Sequence, residues 1–391
     1  MVLFMGKNFV LEKKLFLPVA EPDIGLLEEQ YLLEAFRSGW ISSLGNYIER
    51  FEVEFAEFCG TSYAIAVCNG TAALHLALLA GGIKAGDEVI VPALTFAATA
   101  AAVRHCGATP VFVESEPDIG TLDPKSVESA ISPKTKAIIA VHLYGHPADM
   151  DNILRIARKH NLLVIEDAAE AHGAKYKGRP IGSLGDMAIF SFYGNKIVTT
   201  GEGGMVVTNQ PEFHERVRFY KDHAMDPKRR YWHPEVGFNY RMTNLQAAIG
   251  CAQLKRFDEL LSWRKQIVAY YRDEFRDIVE IAFNPSKDWA DPVPWMVCCL
   301  LPDGTEQEKR DQLMEWLKRA DVDSRPYFHL LCDMPPYASC KRIDASGKDL
   351  PVARKLSARG INLPILRRLT RKDVTRIRNE LEGWIKLQSK I

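Results

Sequence analysis

The sequence predicts an α/β fold: a mostly parallel sheet with helices on both faces, making three layers, followed by a smaller α+β domain. Three observations carry this expectation. Between residues 60 and 210, short apolar runs alternate with amphipathic segments. The runs are apolar almost throughout, not at every second position, which marks strands covered on both faces. After Pro285 the regular alternation changes character.

The elements follow in order. "YAIAVCN" is strand-like and leads into "GTAALHLALLAGG", a helix ending in glycines. "DEVIVPA" is a strand and "TFAATAAAVRHCG" a helix. "TPVFVES" is a strand, "DPKSVESAIS" a helix, "TKAIIAVHLYG" a strand and "DMDNILRIARKHN" a helix. "LLVIEDAA", "MAIFSFYG" and "GGMVVTN" complete the strands. Residues 243–275 read as one long helical stretch with an apolar stripe. Beyond it, "VPWMVCCLLP" is a strand, "EQEKRDQLMEWLKRA" a helix and "VDSRPYF" a strand. The expected division is an N-terminal segment over 1–25, a large domain over 26–255 and a small domain over 256–391.

A chain of 391 residues, 47% apolar and 26% charged, is ordinary globular material long enough for about two to three domains. Fifty basic residues balance fifty acidic ones, so no net field steers it to nucleic acid or an anionic membrane. The start, "MVLFMGKNFVLEKKLF", has no sustained apolar stretch behind a basic start, so no leader is expected. No apolar run approaches a membrane span. The eight cysteines form no CxxC pair and mostly sit in apolar stretches, which suits a reducing cytoplasm. His142 and His146 in "HLYGH" have neither a helix to align them nor a nearby third ligand, so no metal site is expected.

In such sheets, ligands bind beyond the carboxyl ends of the strands. Four features fall there. Asn69, Gly70 and Thr71 join a strand to a helix, where backbone N–H groups and a hydroxyl can meet an anion; taken alone, they read as a plain N-cap at Asn69 or Thr71. Glu166 and Asp167 close a buried strand, where an acid costs desolvation unless it meets a cation. Ser191, near the end of "MAIFSF", can hold a phosphate oxygen. Lys196 lies in "FYGNKIVTTGEGGMVV", between Gly194 and the glycines at 201, 203 and 204. The phosphate-loop pattern places its glycines on the other side of the lysine, so that reading fails. A lysine among residues of minimal bulk, directly after a buried strand, can lose its proton and attack an aldehyde. An anion site, an acid for a ring nitrogen and an imine-forming amine together describe one cofactor, pyridoxal phosphate.

The stretches "CNGTAALHLAL", "DEVIVPALTFAATA", "HLYGHPADMD", "VIEDAAEAHGAKYKG", "GSLGDMAIFSFYGNKIVTTGEGGMVVTN", "GFNYRMTNLQAAIGCAQL" and "RGINLP" resemble the sugar aminotransferases of the DegT/DnrJ/EryC/StrS group, from about residue 17 to the C-terminus. The resemblance implies the aspartate aminotransferase fold and roles by position. Lys196 would link covalently to the cofactor and Asp167 would pair with its pyridinium nitrogen. Phe96 would stack on the ring, and Gly70, Thr71 and Ser191 would hold the phosphate. Asn239 would reach that phosphate from a neighbouring subunit, making a homodimer the active unit, with a tetramer open. Glu170 stands near the cofactor's phenolic oxygen, where many members carry Gln or His. His172 follows in the family's pattern with a structural role equally open. "GNKIVTTGEGG", "EDAAEA", "RYWHPEVGFNYRMTN" and "RPYFHLL" look like the branch that aminates C4 of GDP-4-keto-6-deoxymannose with glutamate to give GDP-perosamine. Trp40, Tyr231, His233 and His329 are candidate sugar contacts, with aromatic packing as the competing explanation.

Other functions stay in view. A UDP-linked 4-ketosugar could be the acceptor. The related sugar dehydratases replace the lysine with histidine, and Lys196 weighs against that branch. No GxGxxG follows an early strand, which weighs against a nicotinamide oxidoreductase. A non-catalytic regulator of the same fold would not need Lys196, Asp167 and Ser191 together.

Overall fold

The computed structural model describes residues 16–388 except 279 and 348. Residues 1–15, where no leader is expected, lie outside the described residues. The large sheet has eight strands. In spatial order they are Tyr63–Val67, Gly204–Thr208, Met187–Ser191, Leu163–Asp167, Thr135–Val141, Glu88–Pro92, Thr109–Val113 and Arg342–Ile343. Gly204–Thr208 runs antiparallel to both of its neighbours, and every other pairing is parallel.

Both faces of this sheet are covered, as the apolar runs predict. Ile65 and Val67 pack into one buried cluster, while Ala64 and Ala66 pack into another on the opposite face. The two-residue side-chain period of a strand sends alternate residues to opposite layers, so a strand buried on both sides has to be apolar throughout.

Helix Gly70–Ala80 is apolar around almost its whole circumference because it lies between the sheet and helix Ala97–His105. Asn69 caps it, its Oδ1 accepting the N–H of Ala72 at 2.8 Å. Helix Ala97–His105 begins with a run of small residues, which lets it approach closely, and ends before Gly107 with φ +74°.

Three expectations need correction. The stretch 243–275 is two helices, Asn244–Lys255 and Phe257–Glu274, broken at Arg256. The Arg256 guanidinium is tied to Asp23 at 3.0 Å and Glu28 at 2.7 Å, and these tertiary ion pairs hold the break. "VDSRPYF" contributes only Arg325–Pro326 to a strand, although the Tyr327 N–H just beyond it still donates to the Gly360 carbonyl at 2.9 Å. The C-terminal part also reaches back, adding Arg342–Ile343 to the edge of the large sheet. Its own four-stranded sheet is antiparallel, ordered Ala282–Phe283, Val297–Leu300, Gly360–Leu363 and Arg325–Pro326.

No helix among the described residues is long and apolar enough to cross a membrane, and all eight cysteines are free.

Candidate active site

The carboxyl ends of five parallel strands gather round a cavity of about 990 Å³. Its walls include Gly70, Thr71, Phe96, Asp167, Glu170, Ser191 and Lys196, so seven positions singled out in the sequence come together in space.

The adjacent acids Glu166 and Asp167 show how the pleat divides labour. Successive side chains on a strand point to opposite faces. Asp167 turns to the cavity, where Thr99 Oγ1 donates to its Oδ2 at 2.9 Å and the Ala169 N–H to its Oδ1 at 3.3 Å. Burial pushes its carboxyl above the usual range, against the hydrogen bonds and the charge of Lys196. Glu166 turns the other way and accepts from His142 Nε2 and from the N–H groups of Gly182, Leu184 and Gly185. It secures the loop that enters strand Met187–Ser191. His142 Nδ1 accepts the Ala148 N–H at 3.0 Å, so Nε2 carries the hydrogen given to Glu166. Both rings of "HLYGH" are committed to the protein, since His146 bonds the Pro147 carbonyl and accepts the Lys287 N–H.

Lys196 sits on a turn in which its N–H donates to the Tyr193 carbonyl at 2.9 Å. Its Nζ lies 3.8 Å from the centroid of the Trp295 ring. Burial lowers the pKa of the amine, with Glu170 and Asp167 opposing that shift. Of the flanking glycines, Gly203 and Gly204 serve close approach, whereas Gly201 takes φ +80° in open space. A Cβ at Gly204 would fall onto the Asn69 carbonyl, and one at Gly70 would meet Ser191 Cβ at 2.9 Å. Their absence lets the helix start, Ser191 and the lysine turn form one cradle. The first N–H groups of a helix have no partner within it, and those of Gly70 and Thr71 lie at this cavity.

Glu170 is buried, and its Oε2 accepts the Tyr144 N–H at 2.6 Å. Burial raises its pKa from 4.5 to about 7, against the attraction of Lys196. A carboxyl raised in this way penalises the folded state only where the unfolded chain would be ionised. The penalty is absent below about pH 4, grows through the window up to about 7 and is full above it. Glu170→Gln keeps an acceptor for Tyr144, so it should raise the melting temperature of the apoprotein at pH 8 and leave it unchanged at pH 4. A paired thermal scan at the two pH values checks this.

The His172 ring is fully buried beside Phe55, Phe190 and Phe192, and burial lowers its pKa to about 3. Phe96 is largely exposed at the start of helix Ala97–His105, with its ring 5.8 Å from that of Phe328. The other candidates do not line the cavity of their own chain. Trp40, Tyr231, His233, His329 and Asn239 are all exposed. Arg241 donates to Asn239 Oδ1 at 3.1 Å, and His233 Nδ1 bonds the His223 carbonyl at 2.8 Å.

Sequence reasoning missed Thr99, Tyr144, Trp295 and Arg325. Tyr144 adopts φ 52°, rare for a bulky residue, and its ring stacks between Trp295 and Phe328. No local pattern marks these positions. The donor set nevertheless fits the cofactor expected from the sequence: a buried carboxyl that a cationic ring nitrogen would complement, a helix start with two hydroxyls for a phosphate, and an amine within the same cavity.

The family model for DegT/DnrJ/EryC1/StrS aminotransferases matches residues 22–382. The chain belongs to this family. Among relatives, a GDP-perosamine synthase from Caulobacter vibrioides is 52% identical over 321 residues, covering 82% of this chain and 86% of that protein. One from Escherichia coli O157:H7 is 46% identical over 323 residues, covering 83% and 87%. The PLP form of Spr1654 from Streptococcus pneumoniae superimposes with a TM-score of 0.87 at 28% identity, covering 94% of this chain and 98% of that one. As a DegT/DnrJ/EryC1/StrS aminotransferase, the protein has the expected mostly parallel sheet and C-terminal α+β part, with the cavity where the strands end.

Proposed function

We propose that this aminotransferase uses pyridoxal phosphate to transfer an amino group from glutamate to C4 of GDP-4-keto-6-deoxymannose, giving GDP-perosamine. The observation that carries the chemistry is the Lys196 amine in one cavity with Asp167 and Glu170. The substrate is supported by the 52% and 46% identical relatives, both GDP-perosamine synthases.

When bound, pyridoxal phosphate supplies an aldehyde that captures amines and a ring that takes up the electrons of a broken C–H bond. The protein does the rest. Gly70, Thr71 and Ser191 would hold the phosphate, and Asp167, oriented by Thr99, would set a negative charge at the ring nitrogen. Lys196 Nζ removes the proton from Cα of glutamate and, in the second half-reaction, delivers one to C4 of the sugar. Burial lowers its proton affinity, which favours the unprotonated amine that a base needs. Arg325, which lines the same cavity, is suited to a substrate carboxylate. The aromatic wall of Phe96, Tyr144, Trp295 and Phe328 screens the reacting atoms from water. Both half-reactions use one site, so ping-pong kinetics are expected.

The active unit we propose is a homodimer. Exposed large apolar side chains concentrate in residues 24–53 and 231–236, among them Leu26, Phe36, Leu44 and Val236. Asn239, Trp40, Tyr231 and His233 lie away from their own cavity and would serve a neighbour's. With no membrane-crossing helix among the described residues and every cysteine free, a cytoplasmic setting fits.

The test is a panel of nucleotide-linked 4-ketosugars offered with glutamate. Turnover is expected with the GDP-linked mannose derivative. Turnover only with a UDP-linked ketone would overturn the substrate and leave the chemistry standing.

A further inference from the structure

Trp295 lies just before strand Val297–Leu300, far along the chain from the lysine turn, yet it touches that turn twice. Its indole N–H donates to the carbonyl of Asn195 at 3.0 Å, the peptide immediately before Lys196. The face of its ring lies 3.8 Å from Lys196 Nζ, well inside the range of a cation–π contact. The indole is itself held firmly. The residue is buried, its ring stacks on Tyr144 at 5.9 Å and 16°, its backbone N–H donates to the Val293 carbonyl at 3.0 Å, and its backbone carbonyl accepts from Arg264 Nη1 at 3.0 Å.

We propose that Trp295 is a positioning residue for Lys196: its ring face is the station of the free lysine ammonium, and its indole N–H fixes the turn that carries it. This rests on the reading of Lys196 as the proton-carrying amine. That reading requires the amine to stand free of the cofactor during turnover, holding a proton that it must later give up. An aromatic face attracts an ammonium but accepts no proton from it. A carboxylate in the same place could take the proton and stall the transfer. The acids that act on the amine are Asp167 and Glu170, the buried His172 also feels its charge, and His75, His105, Glu202 and Arg325 line the same cavity.

The contact favours the charged amine, so losing the ring face should lower the pH at which Lys196 titrates. The measurement is the labelling rate of Lys196 in the apoprotein by acetic anhydride as a function of pH, read on its peptide by mass spectrometry. Trp295→Leu should move the midpoint down by about one pH unit. Trp295→Phe keeps an aromatic face and should move it by less than half as much. Trp295→Met, flexible and ringless, should behave like the Leu variant and replaces it if that variant does not fold. A midpoint unchanged in the Leu or Met variant, or equal displacement in Phe and Leu, overturns the proposal. Borohydride reduction of the wild-type holoenzyme separates this from the functional reading. Failure to find a cofactor adduct on the Lys196 peptide would remove that reading, whereas the labelling midpoints judge the tryptophan alone.

Discussion

Lys196→Ala should lower the rate of aminosugar formation by at least about 10³-fold, because one amine both bonds the cofactor and moves the proton. The variant should still fold. Lys196 sits at a half-buried turn secured by backbone hydrogen bonds and by the Trp295 indole, none of which involves its amine. Burial disfavours the charged amine, so its removal takes away an unfavourable term in the folded state. The variant should bind pyridoxamine phosphate, show no visible-band change with glutamate and complete no cycle. Product at the wild-type rate, measured with glutamate and the ketosugar, would refute the role given to this amine.

Glu166→Ala should be the most damaging substitution for the fold. Glu166 is completely buried and receives four hydrogen bonds, at 3.1 Å from His142 and at 3.1, 2.8 and 2.7 Å from Gly182, Leu184 and Gly185. Removing it strands the His142 N–H and three backbone N–H groups in the interior, at a cost of about 3–5 kcal/mol. Burial alone would raise the pKa of this carboxyl; the hydrogen bond and attraction of His142 and the N–H groups of Gly185 and Gly182 outweigh it and hold the value below 4.5. A depressed carboxyl stabilises the fold above its unfolded pKa, and that contribution is lost as pH falls through the folded value. The wild type should therefore lose stability on acidification in a way that the Ala variant does not. Urea melts at pH 7 and pH 4 measure both effects. A midpoint within the error of wild type at pH 7 would show that the loop does not depend on this acid.

The legible part of the site has a local cause. Asp167 and Ser191 stand at strand ends, which the apolar runs mark. Lys196 is framed by glycines, and Gly70 and Thr71 open a helix whose cap is a recognisable residue. His172 was open between a chemical and a packing role because its aromatic cage is assembled from Phe55, Phe190 and Phe192, of which Phe55 is distant in sequence. Trp40, Tyr231, His233 and His329, the candidate sugar contacts, are all exposed in their own chain.

By itself the sequence determined the alternation of strands and helices over residues 60–210 and the end of the sheet at which Gly70, Thr71, Asp167, Ser191 and Lys196 gather. These depend on side-chain period, capping and the volume of neighbouring residues, all properties of a short window of chain. Only the tertiary structure decided that Glu166 holds a loop while Asp167 faces the cavity, and that Trp295, Tyr144, Thr99 and Arg325 complete the walls. A strand's pleat says that adjacent acids part, but not which face meets the cavity. Contacts between residues distant in the chain arise from packing two layers and a second sheet against one another, and no local pattern encodes them.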